Sequence, residues 1–158
     1  MNAAAPQITR NRAEAAQVAA HLSACDAGFV PPLSARVDLA AYADRIVRHA
    51  ERFEAWSGPQ LAGLVAAYCN DPQGHRAFIT SVSVLPAWQG HGIASRLLRE
   101  CLQFVRAAGV EAIELEVHEA NVAALGLYRR HGFAGAAVGS AGTRILKLQL
   151  QDQEEGFA

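Results

Sequence analysis

The segment PAWQGHGIASRLLREC, Pro86–Cys101, places two glycines around a histidine directly before an amphipathic stretch. The apolar residues of that stretch recur at helical spacing and predict a helix that begins at Ile93. The first backbone N–H groups of a helix are unpaired and carry a partial positive charge, which makes phosphate their natural ligand. Four small residues leave those groups accessible: Gly90, Gly92, Ala94 and Ser95. We therefore predict a phosphate-binding turn; the alternative is a turn whose glycines only connect a strand to a helix.

The periodicity of the remaining chain predicts a mixed α/β (α+β) fold. Helical spacing predicts three more helices, two of them capped by Asp38 and Asn121: residues 11–23, 39–50 and 122–131. β-Branched and aromatic runs predict strands at 7–10, 52–56, 61–69, 76–84, 111–117, 132–138 and 143–150. The three strands within 52–84 predict an antiparallel meander, and the strand–helix–strand unit around the glycines must be parallel. We expect one domain over residues 1–158, a central mixed sheet of about six or seven strands, about four helices, and flexible ends at 1–6 and 151–158.

The composition is that of an ordinary globular protein and argues against several functions. Apolar residues make up 51% of the chain and charged residues 18%. The net charge of −1 provides no field that would attract nucleic acid or an anionic membrane. The first residues lack the apolar core of a signal peptide, and no apolar run approaches the ~20 residues that cross a bilayer. A cytoplasmic location is therefore expected.

The cysteines and histidines do not predict a metal site. The three cysteines include no C-x-x-C pair, and the six histidines include no H-x-x-x-H pair. We expect structural roles for Cys69, which ends an apolar run, and for Cys101, which falls on the buried stripe of a helix. Cys25 is expected in a loop, where a structural thiol is favoured over a reactive one.

Three phosphate-binding sequence patterns compete for the glycine turn. A Walker loop requires Lys followed by Ser or Thr at the helix start, and that lysine is absent. A dinucleotide-binding fingerprint follows its strand directly and has a third glycine, whereas here Pro86–Gln89 intervene and Ser95 stands at the third position. The third pattern, Q/R-x-x-G-x-G/A, is matched by Gln89, Gly92 and Ala94.

A second motif lies downstream, in EVHEANVAALGLYRRHGF, residues 116–133. Six of its positions match a strand–Asn–helix–Tyr–Gly-Phe pattern: Asn121, Ala124, Leu127, Tyr128, Gly132 and Phe133. With both motifs in this order, the chain resembles the GCN5-related N-acetyltransferase (GNAT) family from Phe53 to about Val138. The resemblance implies a single-domain GNAT-like fold.

The resemblance also implies acetyl-coenzyme A (acetyl-CoA) as the acyl donor. The turn would hold the pyrophosphate, with these residues as cofactor contacts: Gln89, Gly90, His91, Gly92, Ile93, Ala94 and Ser95. The backbone of Val82 and Val84 would pair with the pantetheine arm, as an added strand pairs with a sheet edge. Asn121 would hydrogen-bond the same arm, in addition to capping its helix. Tyr128 would donate a hydrogen bond or a proton to the departing thiolate.

The base that deprotonates the acceptor amine is less evident. Many relatives carry a glutamate on the strand before the phosphate loop, but FITSVSV, residues 78–84, has no carboxylate. Glu116 and His118 lie on one face of the following strand and are the candidates, directly or through water. Histidine titrates in the useful pH range.

The resemblance places the acceptor under the loop CDAGFVPPLSARVD, residues 25–38. We expect Phe29, Ser34 and Arg36 to contact a small-molecule primary amine, with Arg36 suited to a carboxylate or phosphate on it. Acetylation of protein N-termini, as by ribosomal-protein acetyltransferases, is the alternative activity within the family. The alternative to an enzyme is a non-catalytic module that binds acyl-CoA. A homodimer is possible in either case.

Overall fold

The computed structural model describes residues 5–140 and 142–150. Within these ranges one sheet contains β1 (Gln7–Arg10), β2 (Ala50–Ser57), β3 (Gln60–Tyr68), β4 (Arg76–Val84), β5 (Ala112–His118), β6 (Ala134–Val138) and β7 (Thr143–Gln149). The helices are α1 (Ala15–Cys25), α2 (Leu39–His49), α3 (Ile93–Ala107) and α4 (Val122–Arg130). Short 3-10 helices occupy Asp26–Gly28, Leu33–Ala35 and Pro86–Trp88. The predicted mixed fold is confirmed. Of the predicted flexible ends, residues 1–4 and 151–158 lie outside the described residues.

The sheet has the strand order β1-β2-β3-β4-β5-β7-β6. Strands β1 to β4 pair in antiparallel fashion, whereas β4 and β5 are parallel and are connected through α3. Strand β7 then inserts between β5 and β6, antiparallel to both. The antiparallel meander and the parallel unit around the glycines agree with the sequence prediction.

Helices cover both faces of the sheet. On β3, Leu64 and Ala66 belong to the apolar cluster under α1 and α2, whereas Val65 and Ala67 belong to the cluster under α3 and α4. Successive side chains of a strand point to opposite faces, so a strand covered on both sides reads as a continuous apolar run. This accounts for the sequence LAGLVAAY in β3.

A glycine in β3 positions the first turn of α3. A Cβ built on Gly63 would lie 2.6 Å from the Cγ2 of Ile93 and 3.3 Å from the Cδ1 of Leu97. A side chain at residue 63 would therefore displace the helix start. The close approach fixes the N-terminus of α3 over the middle of the sheet.

Helix α1 begins four residues later than predicted, at Ala15 rather than residue 11. The backbone N–H groups of Arg12 and Ala13 each donate to the carboxylate of Glu54, at 2.9 Å, which holds this segment outside the helix. A capping box formed by Glu14 and Gln17 then starts α1. The deciding carboxylate is some 40 residues away in sequence, so local spacing did not reveal it. Most other boundaries fall within two residues of the prediction.

Cys25 closes α1, and its predicted loop position was wrong. The residue is 6% exposed, and burial raises the pKa of its thiol to about 11. The helix extends to residue 25 because Leu22 and Cys25 continue its buried face. A neutral, buried thiol fits a structural role.

A buried ion pair joins the N-terminal elements to the sheet. Glu54 is fully buried on β2, and in addition to the two backbone donors it accepts hydrogen bonds from Thr9 Oγ1, at 2.8 Å, and Arg52 Nε, at 3.3 Å. Arg52 donates its other N–H groups to the carbonyls of Val47 and Ala13. The carboxylate and the guanidinium are thus compensated by one another and by β1, α2 and the segment before α1.

Candidate active site

Strands β4 and β5 separate partway along their length. Their parallel ladder begins at Arg76 and ends at the pair Ile79–Leu115, although β4 continues to Val84. At the same point the register between β3 and β4 shifts, so that Thr80 is an extra residue on β4. The edge of β4 from residue 80 to 84 therefore faces a gap instead of a strand.

A cavity of about 460 Å³ occupies this gap. Helix α4 contributes Ala124 and Tyr128 from one face of the sheet. The segment between α1 and α2 contributes Leu33 and Arg36, and α2 contributes Tyr42, from the other face. Because both layers line the same space, a molecule entering from one face can meet a molecule entering from the other. Val82, Val84 and Gln89, all predicted cofactor contacts, also line it.

The glycine turn presents a row of free backbone donors beside the cavity. Gly90 and Gly92 have φ values of +83° and +75°, and Gly92 is the N-cap of α3. No described residue accepts a hydrogen bond from the amides of residues 90–95. Six consecutive N–H groups without a partner in the described chain lie at the positive end of a fifteen-residue helix, an arrangement suited to an anion. The predicted phosphate-binding turn thus has the required local geometry.

Side chains around the turn hold its shape and add positive charge. His91 Nδ1 lies 3.0 Å from the carbonyl of Trp88, and its ring packs against the indole of that residue. Ser95 Oγ lies 2.8 Å from His131 Nε2 and accepts a hydrogen bond from Arg99. Burial, and then the charges of Arg99 and a neighbouring arginine, lower the pKa of His131. The contact between Ser95 and His131 links the turn to the end of α4, which the sequence analysis missed.

Tyr128 lies at the wall of the cavity nearest α4. Its side chain is 8% exposed and packs edge-on against Phe133, with 6.1 Å between the ring centroids. Its hydroxyl makes no hydrogen bond to a described residue. Burial raises the phenol pKa above its ordinary value, so the hydroxyl keeps its proton at neutral pH. An uncommitted donor is thus available in the cavity.

Asn121 and the first turn of α4 lie on the same side. Asn121 is the N-cap, and its Oδ1 accepts a hydrogen bond from the amide of Ala124 at 3.1 Å. The side-chain amide donates no hydrogen bond to a described residue, and Asn121 lines the cavity. Capping therefore leaves its N–H groups available to a ligand.

Glu116 lies on the opposite side, where the β6–β7 connection folds over β5. Its Oε2 accepts hydrogen bonds from the Ser140 amide, at 2.7 Å, from Ser140 Oγ, at 2.9 Å, and from Thr143 Oγ1. These hydrogen bonds lower the pKa of the Glu116 carboxyl; the bond from the Thr143 hydroxyl has the largest effect, followed by that from the Ser140 amide. No described residue donates to Oε1. Glu116 is therefore an anion with one free oxygen and reduced basicity.

His118 lines the cavity two residues further along β5. Its Nδ1 accepts a hydrogen bond from the Ala120 amide at 3.0 Å. In the neutral ring the proton is then on Nε2, which acts as a donor. Both candidate bases thus reach the cavity, and their role as bases stays a prediction; their hydrogen bonds favour binding of the acceptor over removal of its proton.

The predicted acceptor contacts divide into two groups. Phe29 and Arg36 line the cavity, and Arg36 makes no ion pair with a described residue. Ser34 does not line it: its amide and hydroxyl donate to the carboxylate of Asp26, at 2.7 and 2.6 Å, and these bonds lower the Asp26 pKa. Ser34 therefore closes the loop between α1 and α2 on itself, whereas Arg36 faces the cavity.

The sequence analysis missed the polar wall on β4. Ser81 and Ser83 line the cavity, and Tyr42 donates its phenolic hydrogen to the carbonyl oxygen or Oγ1 of Thr80, each at 2.6 Å. Ser83 also contacts His21, which α1 brings beneath the sheet. The alternation of small polar residues in FITSVSV was the available signal, but nothing local identified their partners.

Comparison with known proteins identifies the family. Residues 17–133 match the acetyltransferase (GNAT) family. The chain belongs to this family. A 55-residue stretch is 53% identical to the N-alpha-acetyltransferase RimI of Mycobacterium tuberculosis (strain ATCC 25618 / H37Rv), covering 35% of this chain and 33% of RimI. An 81-residue stretch is 37% identical to the streptothricin acetyltransferase of Streptomyces lavendulae, covering 51% of this chain and 42% of that relative.

The GNAT fold extends over nearly all of the chain. The structure of yncA from Salmonella typhimurium, solved with its cofactor acetyl-CoA, aligns with a TM-score of 0.68 at 20% identity. The alignment covers 93% of this chain and 96% of yncA. By contrast, the matched sequence spans less than half the length of each of the two curated relatives.

The described chain has neither a metal-binding cluster nor a membrane-spanning helix. Within residues 5–140 and 142–150, no group of three or more His, Cys, Asp and Glu side chains is placed to hold a metal ion. The helices of the same ranges are too short or too polar to cross a membrane.

Proposed function

We propose that this GNAT protein is an N-acetyltransferase that transfers an acetyl group from acetyl-CoA to the primary amine of a small molecule by direct attack. The observation that carries the proposal is the row of free amides at residues 90–95 beside a cavity with an uncommitted Tyr128 hydroxyl. The first feature suits a diphosphate, and the second suits a departing thiolate. Two ligands can meet between β4 and β5 because the cavity opens to both layers of helices.

The residues present fit acetyl-CoA. A Cβ built on Gly90 or Gly92 would meet no atom within 4 Å, so no other part of the protein crowds these two residues. The edge of β4 at Val82 and Val84 faces the gap, where backbone groups would pair with the amides of the pantetheine arm. Asn121 would donate its side-chain N–H groups to the same arm. Acetyl-CoA, when bound, supplies an acetyl group activated as a thioester.

Tyr128 would assist departure of the thiol. A free thiol has a pKa of about 8.5, which is below that of an ordinary phenol. The raised pKa of Tyr128 keeps its proton in place and makes it a hydrogen-bond donor to the sulfur as negative charge develops there. Glu116 Oε1 would bind the cationic acceptor, and His118 Nε2–H would bind an acceptor oxygen.

The charges around the acceptor side favour an amine that also carries an anionic group. Arg36 and Glu116 line the same cavity, and Arg36 is close enough to help lower the Glu116 pKa. A molecule with an ammonium and a carboxylate or phosphate would satisfy both. We therefore favour amino acids and anionic amino sugars as acceptors. Similarity to streptothricin acetyltransferase supports a small-molecule acceptor.

Acetylation of a protein N-terminus is the second candidate. The 53% identity to RimI over 55 residues favours it. Against it, ribosomal-protein acetyltransferases tend to have tyrosines between the last two strands, whereas the sequence between β6 and β7 has none. In this protein the connection folds onto Glu116.

A cytoplasmic location and a homodimer stay predictions.

A binding titration followed by an amine panel tests the proposal. We expect acetyl-CoA to bind in isothermal titration and thiol to be released with at least one small amine. Because Arg36 is available to an anion, α-amino acids should be better acceptors than the matched amino-acid amides. The acceptor class is decided by measuring thiol release with four groups of compounds: the amino acids, their amides, amino sugars, and peptides that have a free N-terminus. Turnover with peptides alone would establish the second candidate, and binding without any turnover would make the protein a non-catalytic module.

Substitution of Gly92 tests whether the turn holds the diphosphate. Gly92→Ala should raise the acetyl-CoA dissociation constant about tenfold because its methyl group would stand in front of the amide row. The positive φ should also cost about 1–2 kcal/mol of stability. The matched control is Gly74→Ala, which has a φ of +73° and open space around it but lies in the β3–β4 turn. Thermal unfolding should show the same destabilisation in both variants, whereas titration should show weaker acetyl-CoA binding in Gly92→Ala alone. Equal acetyl-CoA affinities of the two variants would place the diphosphate elsewhere.

A further inference from the structure

His21 is a buried histidine with a defined orientation beneath the cavity. It is 2% exposed, and its Nδ1 lies 2.8 Å from the carbonyl oxygen of Leu61 on β3. A carbonyl oxygen accepts only, so Nδ1 carries a proton. In the neutral ring Nε2 is then an acceptor, and it lies 2.9 Å from Ser83 Oγ. The Ser83 hydroxyl therefore donates to His21.

Ser83 connects this histidine to the cavity. Ser83 lines the cavity and is 7% exposed. Ser81, two residues earlier on the same face of β4, also lines it and is 6% exposed. The Oγ of Ser81 is fully buried and has no hydrogen-bond partner in the described chain. Ser83 is therefore the serine of this wall whose hydroxyl has a defined partner.

The surroundings keep His21 neutral. Burial lowers its pKa below 6.5, and hydrogen bonds to the backbone of Leu61 and of Ser83 partly offset this effect. The thiol of Cys25 on α1 lies 3.7 Å from Nε2, and burial raises its pKa to about 11, so it is uncharged. No charged side chain of the described α1, α2, β3 or β4 is among the groups that shift the His21 pKa. At neutral pH the Nε2 lone pair is therefore available.

We propose that Ser83 and His21 form the proton relay that accepts a proton from the acceptor amine. This inference rests on the proposed N-acetyltransferase function. The bound ammonium first loses one proton to water, so that the acceptor reacts as a neutral amine. As the lone pair of the amine nitrogen bonds to the acetyl carbon, the C–S bond breaks with its electron pair leaving on the sulfur. The N–H bond of the attacking amine breaks as well, and its proton passes to Ser83 Oγ. The original hydroxyl proton of Ser83 passes at the same time to His21 Nε2. The hydroxyl is thus restored, and the imidazolium is stabilised by the Leu61 carbonyl until it loses the proton to water after the product leaves.

The relay supplies a function that the other groups around the cavity perform poorly. Glu116 has reduced basicity because three donors bind its Oε2. His118 has its acceptor nitrogen occupied by the Ala120 amide. By contrast, the Ser83–His21 pair ends in the Nε2 lone pair, which faces the Ser83 hydroxyl at 2.9 Å and the uncharged Cys25 thiol at 3.7 Å. Ser83 is the group that touches the amine, and His21 acts through it.

His21→Gln tests the relay because a glutamine side chain can still accept a hydrogen bond from Ser83 but cannot take up a proton. We expect kcat to fall about a hundredfold, in the range of general base catalysis. Acetyl-CoA affinity should be unchanged in titration. With saturating acetyl-CoA, the plot of log kcat/KM against pH should steepen below pH 6.5 in the wild type, where His21 becomes protonated. The same plot should keep one slope in His21→Gln.

Two further variants make the result decisive. Ser83→Ala leaves His21 in place and should cause a loss of kcat similar to that of His21→Gln; it replaces His21→Gln if that variant does not fold. His49→Gln, at the exposed C-terminal end of α2, should retain the wild-type rate and pH profile. A wild-type kcat in Ser83→Ala or His21→Gln, or a reduced kcat with an unaltered pH profile, would overturn the relay. Absence of turnover in the wild type would instead overturn the proposed function and the relay with it.

Discussion

Tyr128→Phe is expected to lower kcat about a hundredfold or more while leaving acetyl-CoA affinity and stability nearly unchanged. The hydroxyl makes no hydrogen bond to a described residue, so its removal breaks no hydrogen bond within that part of the fold. The ring remains packed against Phe133. What is lost is the donor facing the developing thiolate, and single donors of this kind contribute about 10²- to 10³-fold. Steady-state thiol release with the best acceptor, together with titration of acetyl-CoA, measures both quantities.

Tyr68→Phe is the matched control for this substitution. Tyr68 ends β3 and does not line the cavity, and its substitution removes the same hydroxyl oxygen. It should retain the wild-type kcat. Because burial raises the pKa of Tyr128 above 10, the wild-type rate should also show no loss from tyrosine ionisation up to about pH 9. A wild-type kcat in Tyr128→Phe would remove this residue from the chemistry.

Glu54→Ala is expected to lower the free energy of unfolding by about 3–5 kcal/mol. The substitution leaves the guanidinium of Arg52, whose side chain is 7% exposed, without its counter-charge. It also leaves the amides of Arg12 and Ala13 without an acceptor ahead of α1. Urea unfolding, with the midpoint and the slope both fitted, measures the loss.

Glu51→Ala provides the comparison on the same strand. Glu51 pairs with Arg10 at 3.3 Å, but both side chains are substantially exposed, at 32% and 49%. Solvent screens such a pair, so the substitution should cost about 0–1 kcal/mol. The double variant Glu54→Leu with Arg52→Met should recover much of the stability lost in Glu54→Ala, because it removes both charges together. Equal losses of unfolding free energy in Glu54→Ala and Glu51→Ala would show that the buried pair stabilises the protein no more than the exposed pair does.

Much of the fold was predictable because its signals are local. The β-branched run at Arg76–Val84 and the amphipathic spacing from Ile93 gave both elements their observed starts. The glycine turn between them was equally predictable from the sequence, because a left-handed backbone and an open helix N-terminus depend on a few consecutive residues. The start of α1 was not predictable, because a carboxylate at residue 54 sets it.

The candidate site shows the same division. The sequence predicted three features that lie within short motifs: the phosphate-binding turn, the tyrosine at residue 128 and the asparagine cap at residue 121. Only the tertiary structure determined that Glu116 is hydrogen-bonded by Ser140 and Thr143, and that Ser34 turns away from the cavity toward Asp26. It alone brought His21 to Ser83, across 62 residues of chain. The physical reason is that turns and periodic faces are encoded by neighbouring residues, whereas the basicity of a side chain depends on partners that the register of distant strands and helices brings to it.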